Sequence, residues 1–378
     1  MSNRRRFILG TLAAGGALVL GWTALPPRQR QQPATPLPTA AGEHAFNGWV
    51  RVGEDDRVTV MLARSEMGQG VSTSLALLLA DELDADWNRV QVQPSPIDGI
   101  YNNLATVVDG LPFHPEAAGV LVDAARWLTA KTMREIGVMM TGGSSSVKDL
   151  WLPMRQAGAA ARQMLVETAA ARWGVAAADC RVQLGTVVAP DGRMLRFGAL
   201  AAEAAQRPVP SRPRLKTPEQ FRLIGRPTPR LDAAAKTDGS ARFGIDVQQV
   251  GLLHAALQFC PTRLGRVQSC DEAPARSRPG VKAVLRLDPL NGGTGGMAVV
   301  ADSWWQARQA VDALQVQWDH GPLAGFDSDT ALTGLSGLLD ADAGFAFHTE
   351  GDVDAALAGA ARRVEAEYRA PWLAHSTL

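Results

Sequence analysis

Residues 65–77 read Ser-Glu-Met-Gly-Gln-Gly-Val-Ser-Thr-Ser-Leu-Ala-Leu, with two glycines directly ahead of an apolar run. Glycine costs a helix interior about 1 kcal/mol relative to alanine. Gly68 and Gly70 therefore mark a tight turn, or a place where bare backbone meets a ligand. The run from Val71 to Leu83 puts Leu75, Leu78, Leu79 and Leu83 on one stripe, which predicts an amphipathic helix. Upstream, Trp49–Val52, a turn at Asp55-Asp56 and Val58–Leu62 predict a β-hairpin, and Val90–Gln93 reads as the next strand. Strand, strand, helix, strand in this order commits the segment to an α+β fold.

The 378 residues exceed one ordinary core and suit two or three domains. The 38 basic and 38 acidic side chains cancel, so nothing argues for a nucleic-acid footprint, which needs a basic surplus. Cys180, Cys260 and Cys270 form no CxxC pair, which leaves no ligands here for an iron–sulfur cluster, zinc ribbon or c-type haem. Cys260 and Cys270 read as two free, half-buried thiols, with a disulfide between them the alternative. The histidines are scattered without HExxH spacing, so no metal ligand set and no catalytic residue can be assigned.

Arg4-Arg5-Arg6 opens an apolar stretch from Phe7 to Leu25, the build of a secretory signal. Twin arginine followed by Phe points to the export route for folded proteins, hence to the periplasm. A single N-terminal membrane anchor is the alternative. The glycines at 10, 15, 16 and 21 and the Pro26-Pro27 stop favour the signal. No clear cleavage site precedes Pro26, so retention as an inner-membrane tether stays open. From Pro26 to Gly42 the chain is Pro/Gln/Ala-rich and reads as linker, which puts residues 1–42 outside the expected fold.

A helix is expected from about Glu116 to Arg134, then a polar Thr141–Ser146 loop, and after Pro153 a long helix from Met154 to Trp173 capped at Gly174. The proline- and arginine-rich stretch from Pro208 to Pro229 reads as an interdomain connection. Beyond it come strands at 252–259, 281–287, 297–301 and 315–318, with helices at 271–278 and 303–314. Gly292–Gly296 is expected as a turn between two of these strands. A helix near 353–361 and a strand at 363–368 begin a last unit.

Two loops place small residues just upstream of a helix: Gly68-Gln69-Gly70, and Gly142-Gly143-Ser144-Ser145-Ser146. A helix's first turn leaves amides unpaired and carries partial positive charge, so bare backbone there admits a phosphate or another anion. The serine hydroxyls and the Gln69 amide add donors. Neither loop matches GxGxxG or the GK[ST] phosphate loop, and each alone also reads as a turn plus N-cap. Two in one domain suit a long ligand with several anionic groups. Glu66 reads either as a general base or as a solvated carboxylate.

At these loops the chain resembles the molybdenum hydroxylases of the xanthine dehydrogenase and aldehyde oxidase superfamily, in particular exported large subunits akin to the isoquinoline 1-oxidoreductase beta subunit. The resemblance rests on Glu66–Val71, Ala80–Trp87, Gly142–Val147 with Asp149-Leu150-Trp151, Asp238-Gly239, Phe243–Asp246, Pro279–Val281, Val299–Asp302, Trp318-Asp319 and Tyr368–Thr377. It implies a molybdenum–molybdopterin cytosine dinucleotide cofactor, with Gly68, Gln69 and Gly70 near its dithiolene end. Gly143, Ser144, Ser145 and Ser146 would lie against its pterin and phosphate. It further implies a partial molybdopterin-binding domain at 43–215, an α/β hammerhead domain at 216–325, and the start of a further molybdopterin-binding segment at 326–378.

The activity implied is hydroxylation of an aldehyde or an N-heteroaromatic with oxygen from water. Electrons would pass to a [2Fe–2S] small subunit, with a c-type cytochrome as a further acceptor. Two family features have no counterpart in these residues: a GGGFG-type loop and a late glutamate that serves as general base. The expectation is therefore of a chain that does not turn over alone, completed by a second chain or representing a truncated form. His375 would face the substrate. A non-catalytic cofactor- or partner-binding module and an inactive remnant are the competing expectations.

Overall fold

The computed structural model describes residue 22 and residues 29–341, 344–345 and 349–372. The twin-arginine segment and His375 lie outside the described residues. These divide into two compact units, with the break between Ala241 and Arg242.

Unit 1 opens with β1 (Glu43–Asn47), β2 (Val50–Gly53) and β3 (Val58–Leu62), then α1 (Val71–Leu83) and β4 (Val90–Pro94). They build one sheet in the order β1-β2-β3-β4, antiparallel up to β3 and parallel between β3 and β4. The parallel pair follows from α1, which crosses over between its two strands. Trp49, Val50, Val52, Val58 and Val60 are buried with Leu75, Leu79 and Leu83 of the predicted stripe.

After β4 come α2 (Leu104–Asp109) and α3 (Val120–Ile136), then α4, a single 28-residue helix from Ser146 to Trp173. The break expected at Pro153 does not occur. Proline has no N–H to return to the carbonyl four residues back, and here that carbonyl, Asp149 O, accepts from Arg30 Nη1 at 3.4 Å. α4 packs along α1 through Gly158, where an added Cβ would stand 2.2 Å from Leu79 O. A meander of β5 (Arg181–Gln183), β6 (Thr186–Val188) and β7 (Met194–Arg196) and helix α5 (Phe197–Ala204) follow, for which the sequence raised no expectation.

Two stretches expected as linkers belong to this unit. Gln31 and Leu37 are buried, and Arg30 donates to Ile100 O and Asn102 O, so residues 29–40 are part of the packed structure. The stretch after Pro208 is held by α1's acidic end: Asp81 accepts from the amides of Arg222 and Ile224, and Glu82 from that of Lys216. Leu231 N donates to Thr73 Oγ1, and α6 (Ala233–Asp238) closes the unit. The division thus falls some 25 residues beyond the expected boundary at 215/216.

Unit 2 holds β8 (His254–Phe259), β9 (Arg266–Asp271), α7 (Ala273–Arg276), β10 (Val281–Leu287), β11 (Gly296–Ala301), α8 (Trp304–Val311) and β12 (Gln315–Asp319). β10-β11-β8 form one antiparallel sheet and β12-β9 another, around Val284, Met297, Val299, Ala307 and Val311. The Gly292–Gly296 turn joins β10 to β11 as expected, and Ser303 caps α8 by accepting from Gln306 N. Two helices follow, α9 (Ser328–Leu339) and α10 (Val353–Ala358). Residues 363–368 are exposed and form no strand, correcting that expectation; no neighbouring edge pairs with them. All three cysteines are free. Among the described residues no helix is long and apolar enough to cross a membrane.

Candidate functional site

The two small-residue loops are neighbours. Ser65 N donates to Thr141 Oγ1 at 2.8 Å, and behind this contact Arg64 reaches Asp149 of α4's first turns at 2.6 Å. Asp149 also pairs with Arg30 at 3.0 Å and accepts from Leu104 N and Ala105 N, capping α2. Burial pulls the Arg64 guanidinium down, Asp149 holds it up, Arg30 lowers it, and it settles at about 10, charged at neutral pH. The heads of α1, α2 and α4 thus meet around one buried ion cluster.

At the head of α1 one side chain, Glu66, already takes three amides. Glu66 Oε1 accepts from Gly68 N at 2.9 Å and Gly70 N at 2.8 Å, and Oε2 from Ser72 N at 2.9 Å and Ser72 Oγ at 2.5 Å. Gly70, the N-cap, has φ 81°, which a residue with a Cβ adopts only under strain. Burial pushes the Glu66 carboxyl up, but the Ser72 hydroxyl and the amides of Ser72, Gly70 and Gly68 outweigh it and bring it to about 2. Glu66 is therefore neither general base nor solvated carboxylate, because a group this acidic is a poor proton acceptor at neutral pH. Arg230 closes over it, donating to Gly68 O at 3.0 Å. Gln69 turns back on its own loop, accepting from Met67 N and donating to Ser65 O. What the loop leaves open is space: a Cβ at Gly68 would meet nothing within 4 Å.

The head of α4 is the opposite case. The amides of Gly143, Ser144, Ser146, Val147 and Lys148 and the hydroxyls of Ser144 and Ser146 have no hydrogen-bond partner among the described residues. Gly143 and Ser144 are exposed and both left-handed, with φ 61° and 51°. The dipole of a long helix adds roughly half a positive charge here. Ser145 differs from its neighbours. It is buried, its hydroxyl donates to Gly142 O at 2.7 Å and accepts from Asn103 Nδ2 at 2.7 Å, and its amide also goes to Gly142 O. This corrects the expectation for Ser145: it braces the loop and offers a ligand no donor.

The residues present fit an extended anionic cofactor, with one change of role. Its charged groups find a run of open amides at α4, while on the Gly68 side Glu66 takes the amides of Gly68, Gly70 and Ser72 and leaves chiefly bare backbone. No group of three or more His, Cys, Asp or Glu able to hold a metal occurs among the described residues. What sequence reasoning missed is the role of Glu66, whose signal was a carboxylate four positions ahead of a glycine N-cap.

A family model described as a molybdopterin cofactor-binding domain matches residues 24–107, which include the Gly68–Gly70 loop and stop short of Gly143. The chain is 33% identical over 336 residues to a membrane-bound aldehyde dehydrogenase (pyrroloquinoline-quinone) of Gluconacetobacter polyoxogenes, covering 84% of this chain and 37% of that protein. To isoquinoline 1-oxidoreductase subunit beta of Brevundimonas diminuta it is 31% identical over 349 residues, covering 80% of this chain and 40% of that one. The chain thus spans about two fifths of the length of these relatives. Among solved structures, quinoline 2-oxidoreductase from Pseudomonas putida 86 is 24% identical over 26% of this chain and 18% of that chain, with a TM-score of 0.21, too low to bear on the architecture.

Proposed function

We propose, on the premise that this chain is a relative of the molybdopterin-binding subunits of the molybdenum hydroxylases, that it forms the cofactor-holding N-terminal part of an oxidoreductase. The substrates in this reading are aldehydes or N-heteroaromatics, hydroxylated with oxygen from water. When bound, the molybdenum cofactor supplies the two-electron redox chemistry. This chain's residues hold and orient it. The open amides of Gly143, Ser144 and Ser146 receive the diphosphate of the cytosine dinucleotide form, and the Gly68-Gln69-Gly70 loop lies along the other end. The observation that carries this reading is the free head of α4, joined to that loop by the Ser65–Thr141 hydrogen bond.

The sequence has no cysteine pair for a cluster. Electrons therefore leave, in this proposal, to a separate [2Fe–2S] subunit and from there to a c-type cytochrome. No residue of this sequence is assigned as the general base. Export by the twin-arginine route places the assembly in the periplasm, the folded chain crossing with its cofactor in place.

The test is the content of the purified protein together with whatever co-purifies. Equimolar molybdenum, and a cytosine nucleotide released by acid, are the expected result. Pyrroloquinoline quinone in their place, or a metal-free and nucleotide-free protein, overturns the cofactor assignment. Gln69→Ala is expected to lower cofactor content with the fold intact, because the loop loses the bonds to Met67 N and Ser65 O. Equal content in variant and parent counts against that role.

A further inference from the structure

A second polar opening lies well away from the loops. It is a cleft of about 750 Å³ between one stripe of α4, the start of β5 and the segment from Arg214 to Arg222. Arg162, its central α4 residue, stands sixteen positions along the helix from Ser146, roughly 24 Å at 1.5 Å per residue. The volume falls within the range of small-molecule sites.

The charges in it do not balance. Asp84 on the floor faces Lys216 at 2.7 Å, Arg222 at 3.5 Å and Arg162 at 3.6 Å; Lys216 also has the buried Asp81 at 3.2 Å, which leaves Arg222 and Arg162 leaning on Asp84 from longer range. The nearby Glu82 is fully buried and already paired with Arg155 at 2.7 Å, and it reaches Arg162 only at 3.8 Å. Glu167 is drawn off to Gln163 and Arg207. Arg181 and Arg214, at the rim, have neither an ion pair nor a side-chain hydrogen bond among the described residues. Glu219 is the remaining acid of the lining. Guanidinium forks left unpaired around a pocket are suited to carboxylate or phosphate, which they grip through two parallel hydrogen bonds. Between the charges, Val166, Val182 and Phe221 give an apolar wall.

We propose that this cleft binds a small organic dianion, a compact apolar or planar body bearing carboxylate or phosphate. The site is independent of the cofactor reading: it shares no residue with the α4 head. Arg181 and Arg214 grip the anionic groups from the rim, and Arg162 receives them from the floor.

Titration calorimetry of the full chain at low salt with isophthalate and with phenyl phosphate tests this. The expected result is saturable, submillimolar binding of at least one probe, weakened about tenfold or more in Arg181→Ala/Arg214→Ala. Both side chains are exposed and unpaired, so this variant retains the fold. Tighter binding of isophthalate assigns a carboxylate ligand, and tighter binding of phenyl phosphate a phosphate ligand. Ser146→Ala, at the α4 head, is expected to bind both probes like the parent. No binding of either probe, equal affinity in the double variant, or weakening by Ser146→Ala in its place overturns the proposal. A chain devoid of molybdenum that still binds a probe here defeats the cofactor reading alone.

Discussion

Ser65 donates its backbone amide to Thr141 Oγ1 at 2.8 Å, across 76 positions of sequence. This bond fixes the Gly68–Gly70 loop beside the open head of α4. Thr141→Val keeps the shape and removes the acceptor, leaving Ser65 N to water. We expect a loss of about 1 kcal/mol in urea-unfolding stability, the usual worth of such a bond. We also expect a clear fall in molybdenum per chain, because the two loops no longer hold a common register. Undiminished molybdenum at this small stability cost would show that the loops do not act on one ligand.

Glu66 carries a pH dependence whose direction is set by its four donors. Its carboxyl lies at about 2 in the folded chain against an ordinary 4.5. The stabilisation is therefore complete above pH 4.5 and is lost as pH falls from there through 2. The shift corresponds to on the order of 2 kcal/mol once solvent screening is allowed for. Glu66→Gln retains one acceptor oxygen and removes the charge from the helix head. Its urea midpoint is expected to fall well below the parent's at pH 7 and to approach it at pH 3. A gap of the same size at both pH values would refute the cap.

Asp149 joins Arg30, Arg64 and the head of α2, and its side chain is only 3% exposed. Asp149→Asn leaves two cations facing each other in the interior, which costs about 3–5 kcal/mol when a buried partner is removed. The expected outcome is a large drop in thermal midpoint together with proteolytic opening near residues 30 and 104. A variant within 1 kcal/mol of the parent would mean that water already screens the cluster.

Much of the framework was legible because periodicity and burial agreed. Leu75, Leu78, Leu79 and Leu83 marked α1 over its full length, and Val281–Leu287 marked β10. Departures came where a distant side chain supplied what local sequence lacked. Pro153 does not end a helix because Arg30 takes the carbonyl that the proline leaves unpaired. The proline-rich stretch after Pro208 is packed because Asp81 and Glu82, near the end of α1, are buried acceptors for it. At the candidate site the loops and their adjacency to helix starts were visible in sequence. Which head was open was not, since Glu66 closes α1 by folding back over four to six residues while nothing comparable stands before α4.

Gly158 makes the last prediction, and it concerns the platform on which both loops sit. α1 and α4 pack so closely there that a Cβ would come 2.2 Å from Leu79 O and 3.0 Å from Glu82 Cβ. Backbone does not yield as a flexible side chain does, so Gly158→Ala must push the helices apart. Alanine's better helix propensity, worth about 1 kcal/mol, opposes the loss, yet overpacking a core of this density costs about 1–3 kcal/mol. Separation also loosens the Glu82–Arg155 pair, whose Arg155 Nη2 to Glu82 Oε1 distance is 2.7 Å. We therefore expect net destabilisation of about 1–2 kcal/mol by urea unfolding, with faster hydrogen exchange along α1. A neutral or stabilised Gly158→Ala would mean that the two helices do not approach at this position, and the shared platform beneath the loops would have to be given up.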